Sequence, residues 1–509
     1  MYATVRNERH PFAGDVVNQR VGNRTPYRIS TRDIVTPELA RLLLIVADGV
    51  RPDILQQEMD EGRAPAMAAL RASGGLYQVT SSFPSVTGPA YVPFLMGRHA
   101  GSVGLPGLRW FDRARQIRWS AANARSYAGI DIWHVDRDVA QDAPTLFELA
   151  RPSLSGMSML GRGATAGNIG RSVAWTVRAA IPHFRGDILG WRTAERAATA
   201  EFLRQFAKSR PRFSVLAITS PDKYSHKFGS DSQHVRDAIA DTDRAIARAT
   251  AIATEGGWRD TLRVWVVSDH GHAPVSQHDD LHGWLESQSL RVLAHPHLRT
   301  RRPDVALMVG GNAMAHVYLE PSARTRTWWP THAARWTKLH DALLARTPID
   351  LAAVATSATT VNISHAARGT AELRLTNTGE ETRFDYDARN GDALQLGGSF
   401  NALNDRDAWA VCATSPYPDA IVQLLALCTT PRAGDIIVSA AADWDLRDRF
   451  EPVPHVSTHG ALLRDQMLVP LLLDAPISGT PQRTADVMPS VLAALGLPLP
   501  PGLDGRSFC

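Results

Sequence analysis

A chain of 509 residues is long enough to bury a large α/β core and to carry a smaller appendage. Its formal net charge of +4 and the lack of any dense Lys/Arg run argue against a nucleic-acid partner. No apolar run reaches the roughly 18 residues of a membrane-spanning helix, and no secretory signal pattern occurs, so the expected location is the cytoplasm.

Strands and helices are predicted to alternate along the chain. Apolar runs at 42–47, 213–219 and 264–268 each lead into an acidic residue, and such runs are typical of strands buried on both faces of a parallel sheet. Residues 194–208 and 234–253 carry apolar side chains at helical spacing, which predicts amphipathic helices. The alternation predicts an α/β fold with a mostly parallel central sheet and helices on both faces.

The predicted core is divided by two stretches of different composition. Residues 1–40 are expected to form an irregular N-terminal arm, and the core is expected to comprise 41–350 and 401–509. The stretch 151–190, rich in Gly, Met and Ala, is a candidate lid, with an ordinary surface excursion as the alternative. Alternating polar and apolar residues within 351–400 predict a small antiparallel β insert.

Acidic residues and histidines gather where the predicted strands end, which is where α/β sheets bind ligands. These residues are Asp48, Asp222, His226, Asp269, His270 and, before a later apolar run, His459. Mixed carboxylate and imidazole ligands suit zinc or a similar divalent metal, and the set is large enough for two ions. Each residue alone is more often a turn, cap or structural side chain, but the joint pattern predicts a two-metal site.

Thr87 is the candidate nucleophile. It precedes Gly88 and Pro89, and because proline favours the first turn of a helix, Thr87 is predicted to lie at a helix N-terminus, where a phosphate is favoured. A neighbouring metal would make its alkoxide usable near neutral pH. The alternatives are that Thr87 merely caps the helix, or that Ser82 or Ser85 is the nucleophile.

Six blocks between residues 42 and 506 carry a family resemblance. They read LLLIVADGVRPD, FPSVTGPAYVPFLMGRHAGSVG, PDKYSHKFG, SDHGH, STHGALLRDQMLVPLLL and RTADVMPSVLAALGLPLPPGLDGR. In this order they resemble the type I phosphodiesterase/nucleotide pyrophosphatase branch of the alkaline phosphatase superfamily, which implies an alkaline phosphatase-like sandwich fold.

The resemblance also implies a role for each site residue. Asp222, His226 and His459 would hold one metal ion, and Asp48, Asp269 and His270 would hold the other beside the Thr87 oxygen. Both ions would be Zn²⁺, with Mn²⁺ as the alternative. Thr87 would form a covalent phospho-threonine that water then hydrolyses. Sulfatases place Cys at this position, so Thr87 argues against a sulfatase.

Three positions depart from the family pattern. Ser225 stands where a Gly usually precedes the ligand histidine. Arg109 lies where the branch commonly has an Asn that touches a phosphate oxygen, so a charged donor is expected to replace that contact. His272 occupies a position usually held by Met, and its expected role is to support the metal ligands or contact substrate, with surface exposure as the alternative.

The expected function is a metal-dependent phosphodiesterase or nucleotide pyrophosphatase acting on a small phosphorus-containing substrate. A phosphonate or phosphomonoester hydrolase on the same two-metal site is one alternative, and a non-catalytic metal-binding scaffold is another.

Four aromatic residues are candidates for stacking on an aromatic leaving group, with burial in the core as the favoured alternative. They are Tyr91, Trp110, Phe111 and Trp133.

Overall fold

The computed structural model describes residues 39–509, apart from a few short gaps. The gaps are 115–122, 173–174, 176–177, 179–181, 183–185, 297, 379–380, 447–448 and 450–453. The arm expected over 1–40 therefore lies almost entirely outside the described residues.

A seven-stranded sheet forms the centre of the described chain. Arg41–Ala47 lies in its middle and pairs in parallel with Phe213–Ile218 on one side and Leu262–Val267 on the other. In spatial order the strands are Leu76–Thr80, Leu468–Leu472, Leu262–Val267, Arg41–Ala47, Phe213–Ile218, Ser153–Gly156 and Gly167–Ile169. Only Leu468–Leu472 runs antiparallel to its neighbours. The predicted mostly parallel sheet is confirmed, and the first part of the candidate lid contributes two of its strands.

Both faces of this sheet are buried by helices. Along the middle strand, side chains alternate between two apolar clusters, so that Leu44 packs with Tyr91–Met96 and Ile45 packs with Gln233–Glu255. Burying one such side chain contributes about 1.5–3 kcal/mol, which explains why these strands read as continuous apolar runs. Among the described residues, the further α-helices of eight or more residues are Pro52–Asp60, Pro65–Gly74, Ile188–Ser209, Ser220–Phe228, Trp329–Leu344, Asp405–Cys412, Ala420–Cys428 and Val487–Ala494.

A second sheet of nine strands contains the stretch expected as a small β insert. In spatial order it comprises Val292–Ala294, Val305–Gly310, Met314–Leu319, Ile436–Ala440, Ile349–Ala355, Thr360–His365, Gly369–Thr378, Glu381–Gly391 and Phe400–Leu403. The strands from 349 to 403 are antiparallel and continuous with strands from elsewhere in the chain, because Ile349–Ala355 pairs with Ile436–Ala440. One face packs on Trp329–Leu344 and the other on Ala420–Cys428.

Two features remain, the predicted location and a small three-stranded sheet near the site. No helix among the described residues is long and apolar enough to cross a membrane, and the cytoplasmic location stays a prediction. Ala273–His278 pairs with the short strands Asp443–Asp445 and Ser457–Thr458. The second of these pairs is antiparallel and sets two distant histidine-bearing segments side by side.

A buried ion-pair network anchors the C-terminal part of the core and yields a stability prediction. Arg483 is 2% exposed and donates from Nε and Nη2 to both oxygens of Asp419 (2.6 and 2.7 Å) and from Nη1 to Asp405 (2.6 Å). Arg483→Ala would leave the Asp419 carboxylate buried without its partner, so the free energy of unfolding should fall by about 3–5 kcal/mol.

Urea titration followed by circular dichroism measures this change. Arg389→Ala is the matched control, because Arg389 pairs with Asp387 through a largely solvent-exposed side chain. The control should unfold at the wild-type urea concentration. A loss for Arg483→Ala no larger than that of the control would contradict the prediction.

Candidate active site

Neighbouring strands of the central sheet carry three carboxylates to one edge. Asp48 directly follows the middle strand, Asp269 lies just beyond Leu262–Val267, and Asp222 lies in the helix that follows Phe213–Ile218. Because these strands are parallel, their carboxyl ends meet at the same edge. Asp48 and Asp269 are fully buried, and Asp222 is 14% exposed at its side chain.

Glycine is required in the turn after the middle strand. Gly49 has a φ of 69°, and a Cβ at this position would lie 2.9 Å from the ring of His272. Its backbone N–H donates to Oδ1 of Asp269 (3.2 Å). The Asp-Gly pair therefore turns the chain tightly enough to bring Asp48, Asp269 and an imidazole together.

Three histidines share one hydrogen-bond pattern, in which Nδ1 donates to a backbone carbonyl. His226, His270 and His459 donate to the carbonyl oxygens of Ser457 (3.0 Å), Gly271 (3.1 Å) and Ser85 (2.8 Å), respectively. Because a carbonyl oxygen can only accept, Nδ1 carries the proton in each ring. Each Nε2 therefore turns a lone pair towards the carboxylates, which is the usual arrangement of metal-binding histidines.

One part of the cluster centres on Asp222. The helix Ser220–Phe228 places His226 one turn after Asp222, with 3.3 Å between His226 Nε2 and Asp222 Oδ1. His459, which follows the Ser457–Thr458 strand, brings its Nε2 to 3.4 Å from the same oxygen. The ring of His459 stacks on that of His270, with 3.6 Å between centroids.

The other part of the cluster contains Thr87. His270 Nε2 lies 3.5 Å from Asp48 Oδ1, 3.5 Å from Asp269 Oδ2 and 3.1 Å from Thr87 Oγ1. Thr87 Oγ1 is also 3.4 Å from Asp48 Oδ1. The following helix begins only at Tyr91, so the predicted placement of Thr87 at a helix N-terminus is wrong: it lies in the preceding turn.

The two rival serines have different surroundings. Ser85 Oγ donates to the carbonyl of Ala461 (2.9 Å) and accepts from the N–H of Gly460 (3.2 Å). Ser82 Oγ is buried and has no hydrogen-bond partner within the described chain. Of these three hydroxyls, Thr87 is the one that contacts the carboxylate and imidazole cluster.

The donor set fits two metal ions. Burial, together with the charges of Asp269 and Asp222, raises the pKa of Asp48 well above its usual value, and burial also raises the pKa of Asp269. Asp269 Oδ2 is buried with no hydrogen-bond partner among the described residues. Two donors on one tetrahedral zinc, each about 2.1 Å from it, lie roughly 3.4 Å apart. The imidazole nitrogens and carboxylate oxygens have similar separations in both parts of the cluster, the one around Asp222 and the one that contains Thr87. Two groups of side chains therefore have metal-binding spacing. One is formed by Asp222, His270, His272 and His459, and the other by Asp48, Asp269 and His270.

Residues 42–462 match the sequence model of the type I phosphodiesterase / nucleotide pyrophosphatase family. The chain belongs to this family.

Curated relatives share only part of their length with this phosphodiesterase-family chain. Ectonucleotide pyrophosphatase/phosphodiesterase family member 7 of Rattus norvegicus is 21% identical over 237 residues, which are 47% of this chain and 51% of the relative. The Homo sapiens protein of the same name is 22% identical, over 47% of this chain and 49% of the relative. The chain thus spans about half the length of the curated relatives it matches.

Solved structures match over nearly the whole chain and identify the fold. Human ectonucleotide pyrophosphatase / phosphodiesterase 5 superposes with a TM-score of 0.57 at 15% identity, covering 92% of this chain and 97% of that one. Phosphonoacetate hydrolase from Sinorhizobium meliloti 1021, in complex with phosphonoformate, gives a TM-score of 0.51 at 14% identity, with 90% and 95% covered. The alkaline phosphatase-like fold implied by the sequence blocks is confirmed.

Two of the three departures from the family pattern lie close to the ligands. His272 is fully buried, so the alternative of surface exposure is wrong, and its Nε2 lies 2.9 Å from Asp222 Oδ1. Ser225 is also fully buried, and its hydroxyl bonds back to the carbonyl of Pro221 (2.8 Å) within the helix. The hydroxyl of the serine between Asp222 and His226 is therefore satisfied within the helix.

Arg109 lies farther from the cluster. Its Nη1 donates to the carbonyl of Val309 (3.4 Å), whereas its Nε is buried with no hydrogen-bond partner among the described residues. The strand that contains Val309 ends at Gly310, which approaches Val86, the residue before Thr87. A role for Arg109 in substrate binding stays a prediction.

Most of the aromatic candidates for leaving-group stacking belong to the core. Tyr91, Trp110 and Phe111 are at most 3% exposed and pack in the same apolar cluster as the middle strand. Trp133 is 38% exposed. Core packing, the favoured alternative for these residues, thus applies to three of the four.

Sequence reasoning missed several side chains that support the site. His455 stacks on His226 with 4.0 Å between ring centroids, and its Nδ1 lies 2.9 Å from the Asn312 amide nitrogen. Ser457 contacts His226 through its carbonyl oxygen and His272 through its hydroxyl. The available signal was proximity in sequence, because Ser457 and His455 lie two and four residues before His459.

Proposed function

We propose that this chain is a metal-dependent phosphodiester hydrolase that uses Thr87 as its nucleophile and passes through a phospho-threonine intermediate. The observation that carries the proposal is the position of Thr87 Oγ1, 3.1 Å from His270 Nε2 and 3.4 Å from Asp48 Oδ1. A hydroxyl this close to carboxylate and imidazole donors can be activated when those donors hold a cation.

The donor side chains form two sets, one for each metal ion. Asp222, His226 and His459 would hold one, and Asp48, Asp269, His270 and the Thr87 oxygen would hold the other. When bound, the two ions would lower the pKa of the hydroxyl and neutralise the charge that builds on the phosphorus oxygens. Mixed nitrogen and oxygen donors favour Zn²⁺, with Mn²⁺ as the alternative.

The proposed reaction has two displacement steps at phosphorus. Thr87 Oγ loses its proton and attacks the phosphorus atom, so that an Oγ–P bond forms while the P–O bond to the first alcohol breaks, and that alcohol leaves with a proton. Water then attacks the phospho-threonine. The second step releases a phosphomonoester and returns the proton to Thr87 Oγ.

Fold neighbours support a small phosphorus-containing substrate. One solved neighbour is an inactive variant of murine ectonucleotide pyrophosphatase / phosphodiesterase 5 in complex with AMP, and another is phosphonoacetate hydrolase in complex with phosphonoacetate. A phosphonate hydrolase is therefore the second candidate for this chain. The charged Arg109, whose Nε has no hydrogen-bond partner among the described residues, would suit a substrate with an additional anionic group.

A leaving-group panel tests the proposal. The panel comprises a bis-aryl phosphodiester, an aryl phosphomonoester, an aryl sulfate, a nucleotide pyrophosphate and phosphonoacetate. We expect kcat/KM for the bis-aryl phosphodiester or for the nucleotide pyrophosphate to exceed kcat/KM for the aryl sulfate at least about a hundredfold. The reason is that the proposed site stabilises the negative charge that develops on the oxygens of a reacting phosphorus centre.

The other outcomes of the panel are equally informative. Turnover of phosphonoacetate alone would select the second candidate. If protein that carries its metal ions turns over none of the five substrates, the alternative of a non-catalytic metal-binding scaffold would be favoured.

A further inference from the structure

His272 has a partner at each ring nitrogen. Its Nε2 lies 2.9 Å from Asp222 Oδ1, and its Nδ1 lies 3.1 Å from the hydroxyl oxygen of Ser457. The ring is fully buried and lies against those of His226, His459 and His270, with centroids 4.9, 5.1 and 5.7 Å away. His272 is therefore inside the cluster of metal-binding spacing rather than behind it.

The single hydrogen of the Ser457 hydroxyl decides which nitrogen of neutral His272 carries the proton. Ser457 Oγ lies 3.0 Å from the carbonyl oxygen of Ala273, which can only accept, and 3.1 Å from His272 Nδ1. When the hydroxyl donates to Ala273, it accepts from His272, and the ring proton lies on Nδ1. His272 then has the same tautomer as the three histidines that donate to backbone carbonyls.

This tautomer leaves two acceptors facing each other. The lone pair of His272 Nε2 points at Asp222 Oδ1 across 2.9 Å, the shortest of the four imidazole approaches to that oxygen. An ionised carboxylate has no hydrogen to offer, so the contact is unfavourable unless a cation lies against both atoms. The separation is shorter than the roughly 3.4 Å between two donors on one tetrahedral ion with bonds of about 2.1 Å, so the two atoms would move apart by about half an ångström when they bind the same ion.

We propose that His272 Nε2 is a direct ligand of the metal ion held by Asp222, His226 and His459, an inference that rests on the proposed function. Four protein ligands complete a tetrahedral shell, which is typical of ions that are retained tightly. The ion beside Thr87 would be held by Asp48, Asp269 and His270, with the Thr87 oxygen as its fourth donor. Because that oxygen leaves the ion's ligand set when it attacks phosphorus, this ion is the more exchangeable of the two. The two sites of this chain therefore differ in affinity because His272 stands where the family usually has Met.

Replacement of His272 tests the inference through metal binding rather than turnover. Zinc affinities are measured by competition with a chromophoric chelator, and X-ray absorption at the zinc edge counts imidazole ligands. In His272→Met we expect one of the two zinc affinities to fall about 10–100-fold or more, and the imidazoles shared by the two ions to fall from four to three. The other affinity should stay at its wild-type value.

Two further variants control for folding and for loss of any histidine. His272→Asn places an amide nitrogen near the position of Nδ1, so that it can still donate to Ser457 but has no atom at Nε2. It should lose the same zinc affinity as His272→Met while keeping the melting temperature of the metal-free wild type. His278→Met removes a histidine of the same strand region that bonds to Asp445 (3.0 Å), and it should leave both affinities unchanged.

The inference would be overturned if both His272 variants kept the wild-type zinc affinities and the wild-type number of imidazole ligands. His272 would then only orient the Asp222 carboxylate through a hydrogen bond from Nε2–H. That outcome leaves the proposed function intact. If the wild-type protein binds no metal under any condition, the proposed function itself fails, and the two failures are thus distinguishable.

Discussion

Thr87→Ala is expected to lower phosphodiester turnover at least about a hundredfold while leaving metal content and melting temperature near those of the wild type. Thr87 Oγ1 is the hydroxyl that lies beside His270 Nε2 and Asp48 Oδ1. Its removal deletes the proposed nucleophile but leaves the carboxylates and imidazoles in place. Steady-state rates on the bis-aryl phosphodiester, with elemental analysis of the same samples, measure the effect.

Two matched variants sharpen this test. Thr87→Ser keeps a hydroxyl and should retain part of the activity. Ser82→Ala removes a buried hydroxyl of the same loop that has no hydrogen-bond partner among the described residues, and it should turn over at the wild-type rate. Rapid acid quenching of wild-type turnover of the bis-aryl phosphodiester, followed by peptide mass analysis, should place a phosphoryl group that still carries one aryl ester on Thr87. Near wild-type turnover by Thr87→Ala on every substrate of the panel would instead favour direct attack by water.

Removal of divalent metal by a chelator is expected to lower turnover roughly a thousandfold or more and to lower the melting temperature. Asp48, Asp269 and Asp222 would then face one another in a largely buried cluster, where like charges repel strongly. Lost binding energy also reduces stability directly, because bound metal favours the folded state. Differential scanning calorimetry and activity assays on the same metal-free sample measure both effects.

Re-addition of metal is the control for this experiment. Zn²⁺ should restore both turnover and melting temperature, and Mn²⁺ should restore them if it is the natural ion. The two-metal proposal fails if elemental analysis shows less than one ion per chain while turnover remains at the wild-type level.

Local sequence patterns were sufficient for the main elements of the fold. Helices expected at 194–208 and 234–253 occur as Ile188–Ser209 and Gln233–Glu255. Their apolar spacing reflects a single buried face, and this periodicity is a property of the local sequence alone. The start of the helix after Thr87 was misjudged, because proline at 89 indicates a helical first turn but cannot distinguish it from the turn that precedes the helix at Tyr91.

The sequence also predicted that the acidic residues and histidines would gather at one place, since acidic residues after apolar runs predict the carboxyl edge of a parallel sheet. Only the tertiary structure decided how those residues meet. Ser457 lies 231 residues from His226 and 185 from His272, yet its carbonyl oxygen accepts from His226 Nδ1 and its hydroxyl contacts His272 Nδ1. Hydrogen bonds act over about 3 Å, and no local pattern shows which segments approach that closely; the antiparallel pairing of Ser457–Thr458 with Ala273–His278 does.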